Sequence, residues 1–131
     1  MKKGRFSLTL LIGVALFTAA GCGSGGEVKI GDTDDGGQVP LEVGQTLVLS
    51  LDSNPTTGYQ WEITELDEAI LKQTGHEYEA DQPVLIGSGG KEVWRFQAQS
   101  SGSTTLSLGY KRSWEEGIEP IQTYSVEVAV R

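Results

Sequence analysis

The chain has 131 residues, with 10 Lys+Arg against 18 Asp+Glu, one cysteine, one histidine and 37 % hydrophobic residues. That length holds one small domain, and a single cysteine excludes both an internal disulfide framework and a zinc site built on several sulfurs. A net charge of −8 repels nucleic acid, so the expected partners are neutral or basic.

The chain opens with Lys2, Lys3 and Arg5, followed by a mostly apolar run from Phe6 to Ala20 and the small residues Ala19-Ala20-Gly21 just before Cys22. A charged start, a short apolar stretch and a small-residue cleavage region read as a secretory signal over residues 1–21. The run is broken by Ser7, Thr9, Gly13 and Thr18 and falls short of the roughly 20 apolar residues a spanning helix needs. Ala-Ala-Gly-Cys resembles the lipobox of bacterial lipoproteins, with Ala19 where leucine is usual. The resemblance implies that Cys22 is lipidated and that the protein is anchored extracytoplasmically to a bacterial membrane, on its periplasmic face or at the cell surface. Gly23 after Cys22 gives no acidic inner-membrane retention signal. Cleavage removes three basic residues and no acidic ones, leaving seven basic against eighteen acidic, a net charge of −11.

Residues 22–38 are rich in Gly and Asp and read as a flexible tether. Asp32 to Gly37 has the look of a calcium loop, but an EF-hand needs an oxygen ligand at its fifth place and Glu at its twelfth, where this chain has Gly36 and Val43. No metal and no cofactor is expected.

From residue 39 to 131 the apolar residues recur with period two, the spacing that puts alternate side chains on one face of a strand. Leu47, Leu49 and Leu51 share a face, as do Trp94, Phe96 and Ala98, then Leu106, Leu108 and Tyr110, then Tyr124, Val126, Val128 and Val130. Tyr59 to Ile63 and Ile70 to Tyr78 add strands, Val39 to Val43 or Val28 to Ile30 an edge, and Asp67 to Leu71 one helical turn. About seven short strands separated by Gly, Pro and Ser turns predict an all-β fold, an immunoglobulin-like sandwich of two packed antiparallel sheets. Its predicted core is Trp94, Phe96, Leu106, Leu108, Tyr124 and Val126.

Three connections carry the functional information. In Asn54-Pro55-Thr56-Thr57-Gly58-Tyr59, Pro55 fixes its own backbone, restrains Asn54, and Gly58 permits a positive φ, so a stiff projecting loop with two hydroxyls is predicted. Asn-Pro-Thr is no glycosylation acceptor, because proline occupies the forbidden middle place. Gly87-Ser88-Gly89-Gly90 reads as a mobile connection whose amides can approach a partner closely. It is no phosphate loop, since Leu85 and Glu92 stand where a Walker motif needs Gly and Ser or Thr. Arg112-Ser113-Trp114, at a strand end, offers the residue types that anchor interfaces.

In that order on an all-β chain, these motifs closely resemble the three loop motifs of the chagasin-type inhibitors of papain-like cysteine peptidases. The likeness includes the Trp94-Arg95-Phe96 and Leu106 to Tyr110 runs and covers about Leu41 to Val130. Ser113 stands where the family has proline, which leaves that loop less stiff. The resemblance implies a tight, reversible inhibitor with no catalytic activity, a monomer whose three loops sit at one end and occlude a protease cleft. Asn54 to Tyr59 would lie at the centre, with Thr56 and Thr57 beside the protease's Cys–His pair. Arg112, Ser113 and Trp114 would lie on the primed side, and Gly87, Ser88, Gly89 and Gly90 on the other.

Other classes fare worse. His76 has no nucleophile paired with it by any motif and reads as a surface histidine, and the carboxylates read as solubilising charge. The alternative is a lipid-anchored adhesion or ligand-binding module on the same fold, since a fold does not decide function.

Overall fold

Every alternating segment of the sequence becomes a strand in the computed structural model, which describes residues 26–131. The proposed signal (1–21) and Cys22 lie outside the described residues. The strands are β1 (Glu27–Ile30), β2 (Gln38–Leu41), β3 (Thr46–Ser53), β4 (Gln60–Glu65), β5 (Leu71–Ala80), β6 (Gly90–Ala98), β7 (Gly102–Lys111) and β8 (Gln122–Val130). They form two four-stranded sheets, in the orders β1-β3-β6-β5 and β2-β8-β7-β4. The inward faces of both sheets meet in one core that includes Leu47, Leu49, Leu51, Trp94, Phe96, Leu106, Leu108, Tyr124 and Val126. Burying these apolar faces against each other is the main stabilising term, at about 25 cal/mol per Å² removed from water. Asp67 to Leu71 closes one turn, with the amides of Ile70 and Leu71 donating to the Asp67 carbonyl.

Two sequence expectations are corrected. The tether predicted to run through residue 38 ends much earlier, because Glu27–Ile30 pairs with Thr46 to Leu49 and Val28 and Ile30 pack on the core. The following stretch, with its short 3₁₀ turn Asp32–Asp34, crosses to the other sheet. It is fastened there by the Gly36 amide on the Ser125 carbonyl (2.7 Å), the Ser125 amide on Asp35 Oδ1 (2.9 Å) and the Tyr124 hydroxyl on the Gly31 carbonyl (2.9 Å). Burial, then the charges of Asp34, Asp35 and Asp32, hold the Tyr124 phenol above its usual range, so it stays a donor.

The sheets are also not wholly antiparallel. β1 runs parallel to β3 and β2 parallel to β8. The N-terminal arm runs along one sheet and returns along the other, and its two neighbours happen to run in those same senses.

Candidate functional site

Strand register decides which loops are neighbours. Ser53 at the end of β3 lies opposite Gly90 at the start of β6, and Gly90 lies opposite Ala80 at the end of β5. In the second sheet Gln60 faces Lys111, and Tyr110 faces Gln122. The β3–β4, β5–β6 and β7–β8 connections therefore emerge at one pole, and these are the segments that carry the three motifs.

The central loop is a 3₁₀ turn over Pro55–Thr57. Asn54 is its hub. Its Oδ1 accepts from the Thr56 amide (3.2 Å) and hydroxyl (2.5 Å), and its carbonyl accepts from the Thr57 amide (3.1 Å) and hydroxyl (2.7 Å). Its own amide donates to the Tyr110 hydroxyl (3.0 Å). Pro55 sits at the first position of the turn, where its missing N–H costs nothing. Gly58 closes the turn with φ +88°, donating its amide to the Pro55 carbonyl at 2.9 Å. Thr56 and Thr57 are exposed, as the sequence predicts, but their hydroxyl protons are used within the loop and make it stiff.

Both flanking loops are bonded to this turn. On one side Asn54 Nδ2 donates to the Gly87 carbonyl at 3.0 Å. The Ser88 hydroxyl caps its own loop by donating to the Leu85 carbonyl at 2.7 Å, and Gly89 continues into β6. Gly90 differs from the prediction: it is buried at the first position of β6, and a Cβ there would come 2.2 Å from the Glu79 carbonyl oxygen. Its lack of a side chain serves packing, as does that of Gly89, where a Cβ would come 2.9 Å from the Ser53 carbonyl oxygen and whose own carbonyl accepts from the Asp81 amide at 3.0 Å.

On the other side Arg112 Nε donates to the Thr57 carbonyl (3.1 Å), and its guanidinium lies 4.4 Å from the centre of the Tyr59 ring. Tyr59 stacks on Tyr110 (5.5 Å), which meets Trp61 (5.0 Å), so an aromatic column supports the loops from below. Ser113 and Trp114 occupy the middle of a turn closed by the Glu115 amide on the Arg112 carbonyl (3.1 Å) and by the Arg112–Glu115 ion pair (3.5 Å). That closure supplies the stiffness that the missing proline would otherwise give. Trp114 remains 66 % exposed, with its ring edge over Gly58.

A Cβ on Gly58 would lie 2.5 Å from Trp114 Cη2. Gly58→Ala therefore combines a positive-φ penalty of about 1–2 kcal/mol with eviction of the indole. Its expected signature is lower stability in denaturant together with a changed tryptophan emission spectrum.

Sequence reasoning missed three features. Val84, Leu85 and Ile86, just before the glycine ribbon, are exposed at the loop pole, and Ile86 is entirely so. An apolar triplet followed by Gly-Ser-Gly was the available signal. His76 is exposed, as expected of a surface residue, and what the sequence did not show is its hydrogen bond to Glu92, itself buried beneath the central loop. Lys91 pairs with Asp52 at the loop base and, chiefly through that hydrogen bond, holds the Asp52 carboxyl below its usual value. Asp32 is pushed up, first by burial and then by the nearby Asp52 charge.

Comparison with known proteins agrees with this architecture. The chain is 28 % identical to Amoebiasin-2 of Entamoeba histolytica over 101 residues, covering 76 % of this chain and 82 % of that protein. It is 27 % identical to Chagasin of Trypanosoma cruzi over 90 residues, covering 66 % and 82 %. The crystal structure of the cysteine protease inhibitor EhICP2 from Entamoeba histolytica superposes with a TM-score of 0.75 at 23 % identity, over 84 % of this chain and all of that one, and so shares the fold. The model of the family described as chagasin family peptidase inhibitor I42 matches residues 40–128, and the chain belongs to that family.

Proposed function

We propose that this chain is a tight, reversible inhibitor of papain-like cysteine peptidases that fills their active-site cleft with the three loops at one pole. The observation that carries this reading is the cross-bonded, exposed turn Asn54–Gly58. Its backbone is turned inward: the Asn54 carbonyl is held by Thr57, the Pro55 carbonyl by Gly58 and the Thr57 carbonyl by Arg112. Acyl transfer requires a carbonyl carbon open to the nucleophile and its oxygen in reach of the oxyanion donors. With these oxygens engaged inside the inhibitor, Thr56 and Thr57 reach the Cys–His pair as a plug rather than as a substrate.

Trp114 and Arg112 bind on one side of the plug. The ribbon Gly87, Ser88 and Gly89, with the apolar triplet before it, binds on the other. Trp114 supplies apolar area, and the glycine ribbon allows close main-chain contact. Because the loops are already bonded to one another before association, little ordering cost opposes binding.

The proposal includes display outside the cytoplasm through lipid on Cys22. β1 runs parallel to β3, whose far end bears the central loop, so Glu27 lies at the opposite pole, roughly 23 Å away by strand rise. Only Gly23 to Gly26 separate Cys22 from that strand. An anchor at this point holds the domain close to a membrane with its loops facing away from it. Mass spectrometry of the membrane-extracted protein tests this part, and an unmodified Cys22 refutes it.

The decisive experiment titrates the purified chain against active-site-counted papain. Stoichiometric loss of activity is expected, and undiminished activity with papain and several relatives would favour a binding module instead.

A further inference from the structure

Glu92 is the one buried acidic or basic side chain among the described residues, 3 % exposed on the inner face of β6 with Trp94 and Phe96. A carboxyl group there is costly unless its oxygens are fully bonded, and they are. Oε2 accepts from the Ser53 hydroxyl at 2.6 Å and from the Trp61 amide at 3.0 Å. Oε1 lies 2.8 Å from His76 Nε2, and the His76 ring stacks on Trp94 at 3.6 Å between centres and 9° between planes.

The positions of the donors give the cluster its meaning. Ser53 is the residue immediately before the central loop, and Trp61 follows it closely at the start of β4. β3 and β4 belong to different sheets, so the central loop is a crossing between sheets. Its two stems share no ladder to fix their spacing. The Trp61 indole Nε1 donates across them to the Asp52 carbonyl at 2.9 Å, and one carboxylate oxygen of a third strand joins them again at the residues nearest the loop.

We propose that Glu92 is the positioning residue of the inhibitory turn: its carboxyl clamps both stems, keeps the Asn54, Pro55 and Thr57 carbonyls in their internal hydrogen bonds, and so keeps the loop a plug that the target peptidase does not cleave. His76 closes the outer side of the clamp and holds the second oxygen. The inference rests on the inhibitor reading for its consequence, while the clamp itself is measurable without a peptidase.

Two substitutions separate geometry from bulk. Glu92→Met keeps the volume and removes both acceptors. Glu92→Gln keeps a carbonyl that accepts from Ser53 and Trp61 and an amide for His76. In the free protein, exchange of the Thr57 and Trp61 amides is expected to accelerate at least about tenfold in Glu92→Met, with the Val126 amide in the core unchanged, and to stay near native in Glu92→Gln.

Against papain, Glu92→Met should weaken inhibition at least about tenfold. On long incubation it should also be clipped between Asn54 and Tyr59, giving two fragments whose masses sum to that of the intact chain plus one water. Glu92→Gln should inhibit within about threefold of the native protein and stay intact. A folded Glu92→Met that matches the native protein in exchange, inhibition and resistance to cleavage overturns the proposal. Should Glu92→Met not fold, Ser53→Ala removes one donor only; faster Thr57 exchange supports the clamp and native exchange refutes it. If the native chain inhibits no papain-like peptidase, the inhibitor reading fails, and the exchange data alone decide whether Glu92 holds the loop.

Discussion

Thr57→Arg is expected to raise the inhibition constant for papain at least about 1,000-fold, equivalent to about 4 kcal/mol, while the fold survives. Thr57 is exposed at the end of the central turn, so no core packing restrains what replaces it. In the cleft, a long cation at this point either holds the turn away from the Cys–His pair or loses its hydration without a partner. The folding cost is far smaller. It is the loss of one hydroxyl bond to the Asn54 carbonyl, 2.7 Å long, about 1 kcal/mol, or a fall of about 4–8 °C in the unfolding midpoint for a domain of this size. Thr57→Ser keeps that bond and should inhibit nearly as well as the native chain. Undiminished inhibition by Thr57→Arg, measured with stoichiometric enzyme, would remove the central loop from the interface and with it the whole proposed mode of action.

The second large effect is expected from Trp114→Ala. An indole presents about 200 Å² or more of surface, and Trp114 is 66 % exposed in the free protein. The folded state thus gains little from it, whereas a complex that covers it gains at about 25 cal/mol per Å². Truncating such an anchor typically costs 2 kcal/mol or more of binding, about thirtyfold in affinity, mostly as faster dissociation. Stopped-flow or surface-based kinetics should therefore show a raised off-rate, a nearly unchanged on-rate and an unfolding midpoint within about 2 °C of native. A marked fall in midpoint with an unchanged off-rate would mean that Trp114 serves the fold by leaning on Gly58.

These experiments probe different joints of one assembly. Thr57 tests the tip of the proposed plug, Trp114 the proposed anchor beside it, Gly58 the contact between the two, and Glu92 the proposed clamp below. Stiffness unites them: Asn54 bonds within its own turn, to Tyr110 beneath it and to the Gly87 carbonyl beside it. Arg112 adds the bond to the Thr57 carbonyl from the other side. An inhibitor shaped in this way before it meets its target spends little binding energy on ordering.

Much of this was legible in the chain because the determining signals are local. The period-two pattern of Leu47 to Leu51, Trp94 to Ala98, Leu106 to Tyr110 and Tyr124 to Val130 assigns each segment a buried face wherever it ends up. Pro55 and Gly58 fix the dihedrals of the central turn by their own covalent structure. The order of the three loop motifs, with an even number of strands between them, already favoured a common pole in a sandwich.

What remained hidden depends on which strand lies beside which. Val28 and Ile30 were readable as an edge, but two alternating apolar residues amid Gly and Asp are too weak a signal to overrule a tether. Their place was decided by the open side of β3 and by the Asp35 and Tyr124 bonds to the returning arm. Gly90 looks like its glycine neighbours in sequence, yet pairing with Ser53 and Ala80 turns it into a packing position. Glu92 is the clearest case. Its charge argues for the surface, and its even spacing from Trp94 and Phe96 argues for the core. Only the approach of Ser53, Trp61 and His76 from three other strands supplies the donors that make burial affordable. The sequence by itself determined the strands, their faces and the stiffness of one turn, because those follow from side-chain alternation and backbone covalency. The tertiary structure alone decided which polar groups meet beneath that turn, because a hydrogen bond between distant residues is set by strand register and by no property of either residue alone.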